Sequence, residues 1–85
     1  AEVVIRETVY PNPATNQVFI EGDFAKVTEK DIIIVDAIGR QMKPVSIQKL
    51  STRRMQINVS NLFSSQYFIS VNTTTGKKVY KFIKL

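Results

Sequence analysis

The stretch TVYPNPATNQVFI, residues 8–20, places two prolines between two short apolar runs. Pro11 and Pro13 have no backbone N–H, and each holds its own φ at about −65°. Each also moves the preceding residue, Tyr10 or Asn12, towards extended geometry. Such a segment neither continues a helix nor pairs as a central strand. It therefore predicts a stiff corner between two strands.

Outside this corner, apolar residues recur with a period close to two, and turn signals separate the runs. The predicted strands are residues 3–10, 17–21, 31–37, 40–50, 53–59, 66–72 and 77–85. The residues expected to face inward are Val18, Ile20, Met55, Ile57, Val59, Tyr67, Ile69 and Val71. The sequence predicts an all-β fold, a small seven-stranded antiparallel immunoglobulin-like β-sandwich.

Turn residues and one proline refine this prediction. Residues 31–37, DIIIVDA, are apolar on both faces and predict a central strand that is covered on both sides. Asp36 and Gly39 fit the first and fourth positions of a type I turn. Pro44 interrupts the segment 40–50, which favours an edge strand or a bulge there. The TTTG sequence at residues 73–76 predicts a hairpin loop.

Composition limits the class of protein. A chain of 85 residues is expected to form one domain, 1–85. The sequence has no cysteine and no histidine, which excludes disulfides and a cysteine zinc site. No apolar run approaches the roughly 18 residues of a membrane span, so we expect no membrane insertion. The opening residues have no basic segment before an apolar one, so an export signal is expected on a longer precursor.

Charge divides the chain into two parts. Seven acids and three basic residues fall in residues 1–36, for a formal charge of −4, whereas residues 37–85 carry nine basic residues and no acid, for +9. A long region of one sign attracts anionic partners. Alternatively, these lysines fill solvent-facing strand positions and discourage edge-to-edge pairing.

Catalytic chemistry has little support. Without cysteine or histidine the usual nucleophile–base pairs cannot form, and we expect no catalytic residue and no enzyme activity. Ser46, Lys49 and Ser51 are close in sequence, but proximity alone does not make a serine–lysine dyad.

Ligand-binding patterns are also weak. Four carboxylates, Glu21, Asp23, Glu29 and Asp31, lack the spacing of a calcium loop, so we expect no metal and no cofactor. Tyr80 and Phe82 are spaced by two and favour the core over stacking on bases, so we expect no nucleic acid.

Four segments nevertheless occur in the order of a known family: VYPNPATNQVFI, IIIVDAIGRQM, INVSNLFSSQYFISV and GKKVYKFIKL. The whole chain resembles the type A C-terminal sorting domain of type IX secretion system cargo in Bacteroidetes. The family has a YPNP corner, a D-x-x-G-R turn, an L-x-x-G-x-Y segment and a lysine-rich final strand. The resemblance implies that the motif or recognition positions are Tyr10, Pro11, Asn12, Pro13, Asp36, Gly39, Arg40, Leu62, Tyr67, Lys77, Lys78, Lys81 and Lys84. Ser65 replaces the glycine of the third motif, and a positive φ there would strain it.

The resemblance implies a secretion signal without catalytic activity. Its expected partners are an attached N-terminal cargo domain, the type IX outer-membrane translocon with its shuttle proteins, and a sortase-like signal peptidase that cuts before the domain. The implied location is the periplasm in transit and then the cell surface or the medium. The alternative is an adhesive or carbohydrate-binding sandwich module of a cell-surface protein, which would display exposed aromatic side chains.

The final strand carries the most specific expectation. Alternation places Lys78, Tyr80, Phe82 and Lys84 on one face. We expect Lys81 and Lys84 to be exposed and available to a receptor. The strand is also expected to end at a free carboxylate that the translocon grips.

Overall fold

The computed structural model describes residues 8–85, so the predicted strand residues 3–7 lie outside the described part. Its strands are β1 (Thr8–Tyr10), β2 (Gln17–Glu21), β3 (Ile32–Asp36), β4 (Gln41–Met42), β5 (Ser46–Lys49), β6 (Arg54–Asn58), β7 (Ser65–Thr73) and β8 (Gly76–Lys84). The first sheet has the order β1-β2-β6-β5 and the second has the order β4-β3-β7-β8. All pairings within them are antiparallel. Glu29–Asp31 forms a single 3-10 turn.

The described chain has eight strands, so the predicted count of seven was wrong. The difference lies in residues 40–50, which were predicted as one interrupted strand. Gln41–Met42 pairs with β3 in the second sheet, whereas Ser46–Lys49 pairs with β6 in the first sheet. Pro44 lies between the two strands, in a position where no backbone N–H is needed for a hydrogen bond of either sheet. The proline therefore marks a crossing between sheets.

The core lies between the two sheets and follows the predicted alternation. Side chains of Val18, Ile20, Met55, Ile57, Val59, Tyr67, Ile69 and Val71 are all buried, as predicted. They pack with Phe24, Tyr80 and Phe82 in one cluster. Each fully buried aliphatic side chain contributes about 2–3 kcal/mol of hydrophobic free energy, and this cluster holds the sheets face to face.

Strand β3 is covered on one face only, which corrects the expectation of cover on both. Ile32 and Ile34 are buried, but Ile33 is 38% exposed and Val35 is half-buried. The strand is interior to its sheet, between β4 and β7. A strand that is apolar on both faces therefore need not be covered on both: here no further layer of the described residues packs on the outer face of the sheet.

The predicted turns are confirmed by their hydrogen bonds. The Gly39 N–H donates to the Asp36 carbonyl at 3.0 Å, and Gly39 has φ 88°, which glycine adopts without strain. Thr73 pairs with Gly76, so the hairpin between β7 and β8 has a two-residue loop. These two turns set the register of the second sheet.

Strand order in the first sheet equals that of strands A-B-E-D in immunoglobulin sandwiches. In the second sheet, β3, β7 and β8 occupy the places of strands C, F and G, and β4 adds a short strand beside C.

Ile34→Ala and Ile33→Ala form a matched pair, since these neighbours in β3 differ in burial, at 1% and 38% exposed. We expect Ile34→Ala to lower the free energy of unfolding by about 2–5 kcal/mol. Ile33→Ala should lower it by only about 1 kcal/mol. Urea titrations followed by far-UV circular dichroism measure both values, and the folded spectrum should be that of an all-β protein. Equal losses would contradict one-sided cover of β3.

Candidate functional site

The proline corner pairs with the last strand, although the two are at opposite ends of the chain. The Asn12 side-chain amide donates from Nδ2 to the Lys81 carbonyl at 3.3 Å, and its Oδ1 accepts from the Ile83 N–H at 2.9 Å. Next, the Ala14 N–H donates to the Ile83 carbonyl and the Leu85 N–H donates to the Ala14 carbonyl, both at 2.8 Å. A short parallel bridge between Ala14 and Lys84 results.

This pairing explains why the corner reads proline, asparagine, proline. Pro11 and Pro13 cannot donate a backbone hydrogen bond, so the segment cannot extend β1. The Asn12 side chain has both a donor and an acceptor, and it uses both on β8 in place of a backbone ladder. Both X–Pro bonds, at Tyr10–Pro11 and at Asn12–Pro13, are cis. After β1, the chain leaves the first sheet and pairs with the edge strand of the second sheet through Ala14.

Tyr10 anchors the other side of the corner to the first sheet. It pairs with Phe19 in β2, and the two rings stack with centroids 5.6 Å apart. Its hydroxyl donates to the Glu21 carboxylate, and this bond, with burial second, raises the pKa of Tyr10 above its ordinary value. The next three residues of the motif, Pro11, Asn12 and Pro13, are exposed.

Asp36 closes the D-x-x-G-R turn with its side chain. Its Oδ1 accepts from the backbone N–H of Ile38 at 3.0 Å and of Arg40 at 2.8 Å, and its Oδ2 accepts from Arg40 Nε at 2.7 Å. Asp36 is 7% exposed, whereas the Arg40 side chain is 72% exposed. The carboxylate therefore organises the turn from inside, and the arginine covers it from the solvent side.

The pKa of Asp36 lies below its ordinary value as the balance of opposing effects. Burial is the largest single effect and raises the pKa. The hydrogen bonds from Arg40 and from the Ile38 N–H, together with the Arg40 charge, lower it further than burial raises it. The charged carboxylate is the form that the folded turn stabilises.

Tyr67 holds the loop between β6 and β7. Its hydroxyl donates to the Phe63 carbonyl at 2.7 Å, four residues upstream. This is the arrangement of the tyrosine corner in immunoglobulin sandwiches, where a tyrosine near the start of strand F fastens the preceding loop. Leu62 is buried in the same core cluster as Tyr67. Burial first, and then the Asp36 charge, raise the pKa of Tyr67.

Ser65, in place of the family glycine, lies at the start of β7. Among the described residues, positive φ occurs only at Gly39 and Gly76. The left-handed conformation that would have strained a serine is therefore not adopted at Ser65, and the substitution fits an extended strand residue.

Register brings the motifs together at one end of the sandwich. Asp36 lies opposite Tyr67, and Tyr67 lies opposite Phe82, whose ring is stacked 5.5 Å from that of Tyr67. The residues flanking Phe82 in β8 are the ones that bind Asn12. We call this end the motif end. It comprises the corner 10–14, the turn 36–40, the loop 62–67 and residues 81–85.

The four lysines of the basic motif do not all lie there. Lys77 and Lys78 are near the β7–β8 hairpin, and seven residues of strand, about 23 Å, separate Lys77 from Lys84. Lys81 is exposed, as expected. Lys84 is only 8% exposed, so its predicted exposure was wrong. Its side chain lies on the inner face with Tyr80 and Phe82, and its Nζ donates to the Leu85 carbonyl at 2.9 Å.

Sequence reasoning missed two features of this site. Asn12 contacts Lys81 and Ile83, which lie 69 and 71 positions further along the chain, and no local sequence pattern signals these contacts. The tyrosine corner had a signal, namely a tyrosine four residues after the loop residue Phe63 and close to the start of a strand.

No cluster of three metal-ligating side chains and no helix long and apolar enough to span a membrane occurs within residues 8–85. A shallow cleft of about 280 Å³ lies beside Pro44, lined by Ile33, Met42 and Ile47 among others, and no residue of the motif end lines it.

Asp36→Asn tests the electrostatics of the turn. In the unfolded chain the pKa of an aspartate is about 3.9, and in the folded protein the pKa of Asp36 is lower. The charged Asp36 therefore stabilises the fold above the unfolded pKa, and this stabilisation is lost as the pH falls through the folded pKa. The variant should melt at lower temperature than the parent at pH 7, and the gap should shrink towards pH 2. Asp23→Asn, which removes a charge from an exposed loop, is the control and should change the melting temperature less. A gap that is constant between pH 7 and pH 2 would contradict this account.

Comparison with known proteins agrees with this geometry. The family model of the secretion system C-terminal sorting domain matches residues 8–85. No curated protein and no solved structure matched the chain. The match spans all four motif segments, including the corner and the strand that it binds. The chain therefore belongs to the family of type IX secretion C-terminal sorting domains.

Proposed function

We propose that this domain, residues 1–85, is a non-catalytic C-terminal signal that directs an attached N-terminal cargo protein across the outer membrane through the type IX secretion system. The observation that carries the proposal is the family match over residues 8–85. It is supported by the convergence of the corner, the turn and the tyrosine loop at one end of an immunoglobulin-like sandwich.

The motif end is the surface that the secretion machinery reads. Its motif residues divide into two groups by burial. Asp36, Leu62, Tyr67 and Lys84 are buried and Tyr10 is half-buried, and these residues shape the end. Pro11, Asn12, Pro13, Gly39, Arg40 and Lys81 are exposed and available for direct contact. A rigid arrangement of exposed groups on strands and tight turns keeps the entropy cost of recognition low.

Further steps follow from the same function. The translocon and its shuttle proteins bind the folded domain in the periplasm, and a sortase-like peptidase cleaves before it during or after export. The cargo then reaches the cell surface or the medium. None of these steps requires chemistry from the domain itself, because the protease supplies the catalytic groups.

The alternative, an adhesive or carbohydrate-binding module, depends on exposed aromatic platforms. Phe24, Tyr67, Tyr80 and Phe82 are buried. Tyr10, Phe19 and Phe68 are half-buried on outer sheet faces, and the Tyr10 and Phe19 rings are stacked on each other. Phe63, at 83% exposed, stands alone in a loop rather than on a sheet face. The family match over residues 8–85 favours secretion over glycan binding. Titration of the isolated domain with glycans, followed by NMR chemical shifts, separates the two functions.

A reporter fusion tests the secretion function. Residues 1–85 are attached to the C-terminus of a folded periplasmic reporter in a bacterium with a working type IX system. We expect the reporter outside the outer membrane in that strain and inside the periplasm in a strain without the translocon. The reporter without the domain is the control. Periplasmic retention of a folded fusion in the competent strain would overturn the proposal.

Lys81→Gln tests direct reading of the motif end. An exposed lysine contributes little to stability, so the melting temperature should stay close to that of the parent. Export of the fusion should nevertheless fall, because the variant removes a charge from the surface that is read. Lys30→Gln, in the exposed 3-10 turn at the other end, is the matched control and should export normally. Normal export of Lys81→Gln would mean that this lysine is only solvated surface.

A further inference from the structure

The outer face of the second sheet carries five apolar side chains where solvent would favour polar groups. Its outward residues include Ile33 and Val35 in β3, Phe68 in β7, and Val79 and Ile83 in β8, which we call the apolar face. Ile33, Val79 and Ile83 are 38%, 40% and 44% exposed, and the other two are half-buried.

Register makes these residues neighbours. Val35 lies opposite Phe68 in the β3–β7 ladder, while Ser70 lies between Ile33 on one side and Val79 on the other. Across three strands about 4.8 Å apart, with side chains standing out from the sheet, the apolar face covers on the order of 300 Å². Patches of roughly 300–600 Å² are the largest on typical monomers and are often functional.

The outer face of the first sheet provides an internal comparison. Its outward residues in β5 and β6 include Ser46, Gln48, Gln56 and Asn58. Gln56 also bonds to the Gln17 side chain, and Arg54 lies 3.5 Å from Glu21 in an ion pair. The outward residues of β5 and β6 are therefore polar, and the aromatics on that face, Tyr10 and Phe19, are stacked on each other. The outward residues of β3, by contrast, are both apolar.

Charge on the second sheet indicates what kind of partner fits. Lys77 and Lys81 are outward in β8, and no carboxylate is outward in β3, β7 or β8. A second copy stacked on this face would place lysines near lysines with no acid to pair them, which is unfavourable. Anionic membranes are bound by clusters of four to eight cations, more than the two present here. A protein surface with an apolar centre and carboxylates at its rim complements both features.

We propose that the apolar face docks a protein of the secretion machinery whose contact surface is apolar with an acidic rim. The face meets the motif end at Lys81 and Ile83, but its centre, Ile33, Phe68 and Val79, lies outside that end. The inference rests on the secretion function proposed above. The face is smaller than the roughly 800 Å² per partner of a stable interface, which suits a contact that must be released after transfer. The motif end then identifies the domain, and the apolar face holds it during transport.

The main test replaces Ile33 and Val79 together by threonine in the reporter fusion. Threonine keeps the β-branched shape that strands favour, and the motif end is untouched. We expect export to fall about tenfold while the circular dichroism spectrum stays all-β. The matched control, Ser46→Thr with Gln48→Thr on the outer face of β5, should export like the parent. Normal export of the Ile33, Val79 variant alongside an exporting parent overturns this inference and leaves the proposed function intact. Failure of the parent to export overturns the proposed function instead.

Photo-crosslinking keeps the inference testable if the double variant is unstable. A photo-crosslinking amino acid replaces Val79 in the fusion, and another replaces Gln48 as the control. We expect a crosslink from position 79 to a protein of the type IX machinery, lost in a strain without that machinery, and no such crosslink from position 48. A crosslink from position 79 to lipid, to a second copy of the fusion, or to nothing overturns the proposal.

Charge reversal tests the acidic rim. Lys77→Glu lies on the same outer face, far from the motif end, and should reduce both export and the crosslink from position 79. Lys30→Glu, an identical change in the 3-10 turn, should leave both unaffected. Equal behaviour of the two variants would contradict a partner with an acidic rim.

Discussion

The side-chain amide of Asn12 joins the beginning of the described chain to its end, and the arrangement of the motif end depends on that contact. Its Oδ1 and Nδ2 bind the backbone of β8 on either side of Phe82. The flanking prolines cannot form a ladder themselves, and they hold the asparagine extended between them. As a result the chain passes from the first sheet to the edge of the second without a strand.

The same contact connects the packing of the core with the exposed part of the motif end. Phe82 is held between Tyr67 and the corner, Tyr67 fastens the loop that carries Phe63, and the strand register places Asp36 beside Tyr67. Buried groups therefore fix the positions of exposed ones such as Arg40. Under the proposed function, a change at a buried motif residue would alter both stability and the surface offered to the secretion machinery, whereas a change at an exposed lysine would alter only the second.

Folding also rearranges the charge division seen along the chain. Glu21, Asp23, Glu29 and Asp31 lie at the end opposite the motif end, next to the β7–β8 hairpin or the start of β6. The motif end retains one described acid, Asp36, and Arg40 pairs with it. A partner that carries carboxylates can therefore approach the motif end without meeting an unpaired acid among the described residues.

Local chemistry in the sequence determined the strand content, the inward residues, the two glycine turns and the proline corner, because a period of two and the demands of φ act over a few residues. Only the tertiary structure decided which sheet each strand joins. Pro44 divides a predicted strand between two sheets, and Lys84 is buried although lysine favours solvent, because β8 pairs with both β7 and the corner. The exposure of Ile33 was decided in the same way, since period and composition cannot say whether a further layer covers a sheet. These outcomes depend on contacts between residues far apart in the chain, and such contacts leave no trace in a local pattern.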